Sequence, residues 1–151
     1  MIGKNNKIAI GSDHAGFELK EQIKSFLVDL GYDIKDHGAF SLDSIDYPDI
    51  AKSICDGILA GESSRGILVC GTGIGMCISA NKVKGIRAAV CSDTFSAKMA
   101  SAHNACQIIA VGARVVGFGL AAEIVSAFLD TDFDTSGRHR MRVDKIMSLD
   151  I

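Results

Sequence analysis

Short apolar stretches alternate along the chain with segments whose apolar residues recur every three or four positions. Apolar stretches at 7–11, 66–70, 85–91 and 107–111, and a more polar one at 32–36, predict five strands. The periodic segments predict six helices, beginning near residues 17, 48, 76, 94, 117 and 138. Because the two kinds of element alternate, we predict an α/β fold whose parallel sheet is covered by helices on both faces.

Local signals refine these elements. Gly31 is expected to close the first helix, Pro48 fits the first turn of the second, and Asp93 is expected to cap the fourth. The last helix is predicted over about 137–149, with a cap near Thr135 or Ser136. The buried stripes predicted for the first two helices are Phe17, Ile23, Phe26, Leu27 and Leu30, and Ile50, Ile54, Ile58 and Leu59.

Composition narrows the class of protein. With 151 residues, 48% of them hydrophobic, the chain is long enough for one domain spanning 1–151 with a real core. A net charge of −2 favours neither a nucleic-acid nor a membrane partner. No apolar run is long enough to span a bilayer, and residues 1–6 lack the apolar core of a signal peptide. Five cysteines without a C-x-x-C pair indicate reduced thiols and a cytoplasmic location.

The third strand ends at a cysteine that opens a glycine-rich loop, C-G-T-G-I-G at 70–75. Alternating glycines allow backbone N–H groups to converge on one point, and the start of the next helix adds unpaired N–H groups and partial positive charge. This arrangement favours binding of an anion. The same field would favour the thiolate of Cys70, and the hydroxyl of Thr72 could donate a hydrogen bond to it. Cys70 is therefore the candidate base or nucleophile.

The loop has other interpretations. Most cysteines in strands are small buried residues, as we expect for Cys55, Cys77, Cys91 and Cys106. A glycine loop followed about twenty residues later by Asp93 partly matches a dinucleotide-binding pattern, but it lacks the third glycine at the usual spacing and follows the third strand. A Walker lysine and a C-x5-R phosphatase arginine are both absent from the sequence.

In such sheets ligands bind beyond the carboxyl ends of the strands. Asp13 and His14 follow the first strand, Cys70 the third, Asp93 the fourth and Arg114 the fifth, so we expect them at one edge. Asp13 could instead cap the first helix.

Two further candidates lie in helices. His103 ends a helix, where the dipole favours the imidazolium that a general acid needs. Arg138 and Arg142 are four residues apart, so they point the same way and suit a phosphate group, although a solvated face is the simpler interpretation. The four histidines show no metal-ligand spacing, so no metal is expected.

Taken together, these segments resemble the type B ribose-5-phosphate isomerases, a group that also includes allose- and galactose-6-phosphate isomerases. The resemblance runs over nearly the whole chain, in order. The segments that carry it are G-S-D-H-A-G at 11–16, D-Y-P at 46–48, C-G-T-G-I-G at 70–75, A-N-K at 80–82, G-I-R-A at 85–88, H-N at 103–104, G-A-R-V-V at 112–116 and G-R-H at 137–139.

The resemblance implies a three-layer α/β/α, Rossmann-like sandwich with a five-stranded parallel sheet. It implies interconversion of ribose 5-phosphate and ribulose 5-phosphate without metal or cofactor, in a homodimer or dimer of dimers whose sites lie between subunits. The catalytic residues it implies are Cys70 as base, Thr72 supporting the thiolate, His103 opening the furanose ring, and Asp13. The substrate-binding residues it implies are His14, Tyr47, Gly71, Gly73, Ile74, Gly75, Asn104, Arg114, Arg138 and Arg142, with the last helix completing the phosphate site. One branch of the family uses a glutamate where this chain has Met76, which places the chain in the cysteine branch.

Two rival functions remain open from the sequence. The first is the same chemistry on a six-carbon sugar phosphate. The second is a nucleotide-binding regulatory module without catalysis, which would use the glycine loop and Asp93.

Overall fold

A computed structural model describes residues 6–151 and shows five strands and six helices in alternation. The strands are β1 (Lys7–Ser12), β2 (Asp33–Asp36), β3 (Arg65–Cys70), β4 (Ala88–Val90) and β5 (Ile108–Gly112). The helices are α1 (Phe17–Asp29), α2 (Tyr47–Leu59), α3 (Ile74–Asn81), α4 (Thr94–Ala102), α5 (Phe118–Leu129) and α6 (Gly137–Met147). The prediction that residues 1–6 form no signal peptide concerns a segment of which residues 1–5 lie outside the described part of the chain.

The five strands form one parallel sheet in the order β2-β1-β3-β5-β4. On one face, α1, α4 and α5 cover a buried cluster that includes Ile23, Ile67 and Phe128. On the other face, α2 and α3 cover a cluster that includes Ile54, Leu68 and Met76. The predicted three-layer α/β/α fold with a five-stranded parallel sheet is confirmed, and β2 lies at an edge as its polar sequence indicates.

Most local signals act as predicted. Gly31, with φ +94°, follows the last turn of α1, and Pro48 lies in the first turn of α2. The side chain of Asp93 caps α4 by accepting a hydrogen bond from Ser96 N–H at 2.6 Å. Ser136 holds the N-cap position of α6, but its side chain makes no capping hydrogen bond.

Three predictions about element ends are wrong. The fourth strand, predicted at 85–91, is only three residues long, because Gly85 has a left-handed backbone (φ +91°) and Arg87 N–H donates to the Gln107 side chain instead of a strand. Leu30 and Leu59 are about half exposed, at 48% and 52%, because each lies at the end of its helix, where the apolar stripe passes the edge of the core.

The apolar face of α1 contains one charged residue that periodicity did not predict. Lys20 is 0% exposed, and its ammonium group donates to both carboxylate oxygens of Asp36, at 2.9 and 2.8 Å, and to the Ala39 carbonyl at 2.5 Å. This contact ties α1 to the segment that follows β2. That segment in turn pairs with the end of β1, where Ser12 N–H donates to the Gly38 carbonyl.

The remaining cysteines have the environments expected of core residues. Cys55, Cys91 and Cys106 are buried, and Cys77 is half-buried. Burial raises the pKa of Cys55 and Cys106 to about 11 and that of Cys91 to about 12, so these thiols stay protonated near neutrality. Among residues 6–151, the helices are all too short or too polar to cross a bilayer.

Candidate active site

The sulfur of Cys70 lies at the carboxyl end of β3, where the strand enters the glycine loop. Cys70 is 5% exposed, and its Sγ accepts a hydrogen bond from the backbone N–H of Gly73 at 3.1 Å. The hydroxyl of Thr72, predicted to support the thiolate, accepts a hydrogen bond from Ile74 N–H at 3.2 Å. Because a backbone N–H also stabilises negative charge on sulfur, Gly73 provides a donor to Cys70 in addition to the one predicted.

The glycines of the loop allow three close approaches. Gly73 caps α3 with φ +83°, and a Cβ there would lie 3.1 Å from the Val111 carbonyl carbon. A Cβ at Gly75 would lie 2.6 Å from the Tyr47 ring, and one at Gly71 would lie 3.3 Å from the Arg114 guanidinium. The tyrosine and the arginine therefore lie against opposite ends of the loop, as expected of groups that share one ligand.

The loop also presents unused donors. Among the hydrogen bonds of residues 6–151, none has the backbone N–H of Thr72 or Gly75 as donor. These groups lie at the start of α3, whose dipole adds positive potential. Such a turn can stabilise an oxyanion without a metal.

Asp13 and His14 follow β1 beside the loop. The backbone N–H of Asp13 donates to the Val69 carbonyl at 3.2 Å, and its carboxylate accepts from Gly16 N–H at 3.0 Å. Asp13 is therefore not the N-cap of α1, which is Gly16. The His14 ring is half-buried and accepts from Ile45 N–H at 3.4 Å. Asp13, His14, Tyr47, loop 70–75 and Arg114 form what we call the rim group.

His103 and Asn104 lie near the amino-terminal ends of the strands, on the side of the sheet away from the glycine loop. They follow α4, which runs back from the carboxyl edge, and they precede the first residue of β5, Ile108. Since Gly66 pairs with Ile108 and Cys70 with Gly112, the length of β5 separates the two edges, about 13 Å at 3.3 Å per residue. Proton transfer needs heavy atoms within about 3 Å, so a separation of this size keeps His103 from exchanging a proton with an atom at Cys70 of the same chain.

Helix α6 packs beside His103. Asp134 N–H, just before α6, donates to the Ala102 carbonyl at 2.9 Å, and the rings of His103 and His139 stack with centroids 3.9 Å apart. Arg138 and Arg142 are exposed and take part in no ion pair that the structure describes. We call His103, Asn104, Arg138, His139 and Arg142 the α4–α6 group. It carries the free positive charge that the sequence predicts for a phosphate.

Sequence reasoning missed two contacts of this site. The Gly73 donor was missed because a backbone N–H has no residue signature. The stacking of His139 on His103 was missed because the two residues are 36 positions apart, and the only signal was a histidine between two arginines in a first helical turn. Asp93, the acid of the dinucleotide interpretation, is engaged as a helix cap. Within the described residues, no cluster of three or more His, Cys, Asp or Glu could hold a metal ion.

Comparison with known proteins gives consistent results. A sequence model of the family described as "Ribose/Galactose Isomerase" matches residues 8–146. Ribose-5-phosphate isomerase B of Escherichia coli (strain K12) is 44% identical over 144 residues, 95% of this chain and 96% of that protein. D-erythrulose-4-phosphate isomerase of Pectobacterium atrosepticum is 48% identical over 143 residues, 92% of this chain and 91% of that protein.

The fold is also similar to solved structures. The crystal structure of a ribose 5-phosphate isomerase from Thermotoga maritima superposes with a TM-score of 0.93 at 48% sequence identity. The superposition covers 97% of this chain and 100% of that one.

Proposed function

The chain belongs to the ribose/galactose isomerase family, and from this premise we propose that it interconverts D-ribose 5-phosphate and D-ribulose 5-phosphate through an enediolate. The observation that carries the proposal is the sulfur of Cys70, held by the Gly73 N–H at the mouth of a loop of backbone donors. A relative and a solved structure of high identity both bear the name of this activity.

The proton transfer uses Cys70 as the base. In the open-chain aldose, the thiolate takes the proton from C2, the C2–H electron pair forms the C1–C2 double bond, and the carbonyl oxygen on C1 becomes the enediolate oxygen. The proton on O2 then moves to O1 as the C2 carbonyl forms, and the proton held by the Cys70 sulfur returns to C1 to give the ketose. Met76, which is 0% exposed and belongs to the same core cluster as Cys70, cannot take this proton, which supports assigning it to Cys70.

The loop stabilises the charge that this transfer creates. The unused N–H groups of Thr72 and Gly75 lie at the start of α3, and loss of one such donor typically costs about 3 kcal/mol of transition-state stabilisation. Tyr47 and Asp13 lie on either side of the loop and are placed to contact sugar hydroxyls. Thr72 and Ile74 keep the loop folded through the hydrogen bond between them.

A second copy of the chain completes the site. The rim group has the base and the anion loop, whereas the group suited to opening the furanose ring and neutralising a phosphate lies about 13 Å away, at the other edge of the sheet. We assign ring opening to His103, a sugar hydroxyl to Asn104, and the phosphate to His14 and Arg114 of one protomer with Arg138 and Arg142 of the other. The proposed assembly is a homodimer, or a dimer of dimers, with shared sites.

The proposed steps use only a thiol, an imidazole, backbone amides and guanidinium groups, so they require no metal or cofactor. The proposal keeps two further expectations from the sequence. One is a single isomerase domain spanning 1–151, in which the C-terminal helix completes the phosphate site. The other is a cytoplasmic location, suited to five free thiols.

The experiment that tests this function is turnover of ribose 5-phosphate in deuterium oxide, followed by NMR. We expect ribulose 5-phosphate with deuterium at C1, because the proton on the Cys70 sulfur exchanges with solvent. Ketose free of deuterium, as a hydride shift would give, contradicts the enediolate. Thermal stabilisation by NAD but not by ribose 5-phosphate would favour the nucleotide-binding module instead.

A four-carbon substrate is the second candidate, because the 48% identical relative is named for erythrulose 4-phosphate. The shared chemistry at C1 and C2 is the same, and only the distance from that end to the phosphate differs. Comparing kcat/KM for ribose 5-phosphate, erythrulose 4-phosphate and allose 6-phosphate decides between the lengths. A clear preference for either of the last two overturns the five-carbon assignment.

A further inference from the structure

We propose that His139 is a positioning residue for His103: its ring stacks on the His103 imidazole and fixes the plane of that ring. This inference rests on the proposed function, in which His103 protonates the ring oxygen of the substrate. His139 itself touches neither substrate nor reacting atoms in this proposal.

The stacking geometry is close and parallel. The two ring centroids are 3.9 Å apart and the ring planes differ by 9°. His139 is 8% exposed, whereas His103 is half-buried at the C-cap of α4. Among residues 6–151, no hydrogen bond involves a ring nitrogen of either histidine, so the face contact is what orients His103. Both nitrogens of His103 lie on the ring edge and remain available to a ligand.

The two helices that carry the rings are tied together. Asp134 N–H donates to the Ala102 carbonyl at 2.9 Å, and the Asp134 carboxylate accepts from Ser136 N–H, also at 2.9 Å, at the start of α6. The backbone before His139 is thereby fixed relative to the backbone before His103. The relative position of the two rings is consequently set by hydrogen bonds of the backbone and not only by contact between the side chains.

The surrounding charges disfavour a proton on the His139 ring. Burial lowers the pKa of His139 below 6.5, the nearby positive charges of His103, Arg138 and Arg142 lower it further, and only Asp134 opposes them. Two imidazolium rings 3.9 Å apart would also repel. A neutral His139 therefore lies against the His103 ring without placing a second charge beside it.

The consequence for the reaction is confined to ring opening. His103 gives its proton to the ring oxygen as the bond between that oxygen and C1 breaks, and the hydroxyl on C1 becomes the aldehyde by losing its own proton to water. His103 then regains a proton from solvent. A misaligned His103 slows this step, but it leaves the later transfer by Cys70 unchanged because that step needs only the open chain.

The test compares His139→Ala with His139→Phe in the full-length protein. His139→Ala removes the stacked face, and His139→Phe keeps it. With ribose 5-phosphate, which is mostly a furanose, we expect kcat to fall about tenfold in His139→Ala, part of the factor of about 10² to 10⁴ that general acids supply, and to stay within about threefold in His139→Phe.

A second measurement isolates the step. Ribulose 5-phosphate cannot close a furanose ring because its O5 carries the phosphate, so deuterium exchange at its C1 needs Cys70 and not ring opening. We expect His139→Ala to exchange within about twofold of the unmodified protein, against the tenfold loss above. Equal losses in both assays, or no advantage of His139→Phe over His139→Ala, would overturn the proposal.

A third measurement does not depend on the reaction. NMR of protein labelled with ¹⁵N-histidine follows the titration of His139, and we expect its pKa to lie below 6.5. His103→Asn should raise the pKa of His139, because a positive neighbour and part of its burial are removed. A His139 pKa that His103→Asn leaves unchanged refutes the stacked contact even if the protein proves to act on another sugar phosphate. Failure of ribose 5-phosphate turnover alone refutes only the proposed function.

Discussion

At the scale of single residues, position in the fold separates one cysteine from four others of the same type. Cys55 and Cys70 belong to the same core cluster, yet only Cys70 lies at a strand end beside a glycine loop. Burial raises the pKa of the Cys55 thiol to about 11, whereas the Cys70 sulfur accepts a backbone N–H. The proposed role of Cys70 therefore depends on its place as the last residue of a strand and on the turn after it.

We expect Cys70→Ala to reduce kcat with ribose 5-phosphate by at least about 100-fold, since the base is lost, while circular dichroism and the melting temperature stay close to those of the unmodified protein. The matched control is Cys55→Ala, which removes a buried thiol from the same cluster and should leave kcat unchanged. Retention of more than about a tenth of the activity by Cys70→Ala would reject the thiolate base.

At the scale of elements, two helices act through one face each. On α6, Arg138 and Arg142 are exposed and free of described ion pairs, whereas Arg140 pairs with Asp144 at 3.4 Å on the same helix. On α1, Lys20 holds the segment after β2 through Asp36 and the Ala39 carbonyl. Helix α6 thus presents the arginines proposed to bind phosphate, and α1 holds the backbone next to Asp13.

Replacing Arg138 or Arg142 with Ala should raise KM for ribose 5-phosphate about tenfold, with kcat changed less, because a charge-assisted hydrogen bond to phosphate contributes about 1.5 to 3 kcal/mol. Arg140→Ala, on the same helix, should leave KM unchanged. Equal effects of all three substitutions would show that the helix contributes only its overall charge.

Lys20→Met should lower the free energy of unfolding by about 3 kcal/mol, because Asp36 is left without its buried partner. The matched control is Lys52→Met, which breaks an exposed pair with Asp56 and should cost less than about 0.5 kcal/mol. Urea unfolding followed by circular dichroism measures both, and similar losses would argue against a role for burial.

The same pair predicts a pH dependence. Burial alone would raise the pKa of Asp36, but hydrogen bonds from Lys20, Lys24 and Gly38 N–H together hold it below 3.8. Because the folded-state pKa is the lower one, this stabilisation is complete above pH 3.8 and is lost as the pH falls through the folded-state value. Acid unfolding curves of the unmodified protein should therefore show a loss that Lys20→Met lacks.

At the scale of the whole molecule, the direction of each element separates groups that act together. Most of the rim group lies at the carboxyl ends of the parallel strands, whereas His103 follows α4 and lies near their amino-terminal ends. Two copies related by a two-fold axis can place the rim group of one against the α4–α6 group of the other. The site then belongs to the assembly and not to the chain.

Mixing Cys70→Ala and His103→Asn proteins tests this arrangement. Each variant alone should be nearly inactive. After subunit exchange, mixed dimers contain one site with both substitutions and one with neither, so activity should recover to about a quarter of that of the unmodified protein. Size-exclusion chromatography checks the mass of the assembly. No recovery despite exchange would mean that each chain carries its own complete site.

The amino-acid sequence was enough to predict the alternation of strands and helices, the covered parallel sheet, and the cysteine and glycine loop at the end of β3. These features depend on apolar periodicity and turn chemistry within a few residues, which adjacent positions record directly. Apolar periodicity is a local signal, and this explains the errors at element ends. The apolar pattern continues through Leu30, Leu59 and residues 85–87, although the buried stripe or the strand does not include them.

The folded structure was needed to show that Lys20 is buried against Asp36, that the Gly73 N–H donates to the Cys70 sulfur, and that His139 stacks on His103. The folded structure was also needed to show that His103 and Cys70 lie at opposite ends of the parallel strands. These relations join residues that are distant in the chain, or backbone groups common to every residue, so no local pattern encodes them. They follow from strand order and the direction in which each helix returns, which are fixed when the whole core packs.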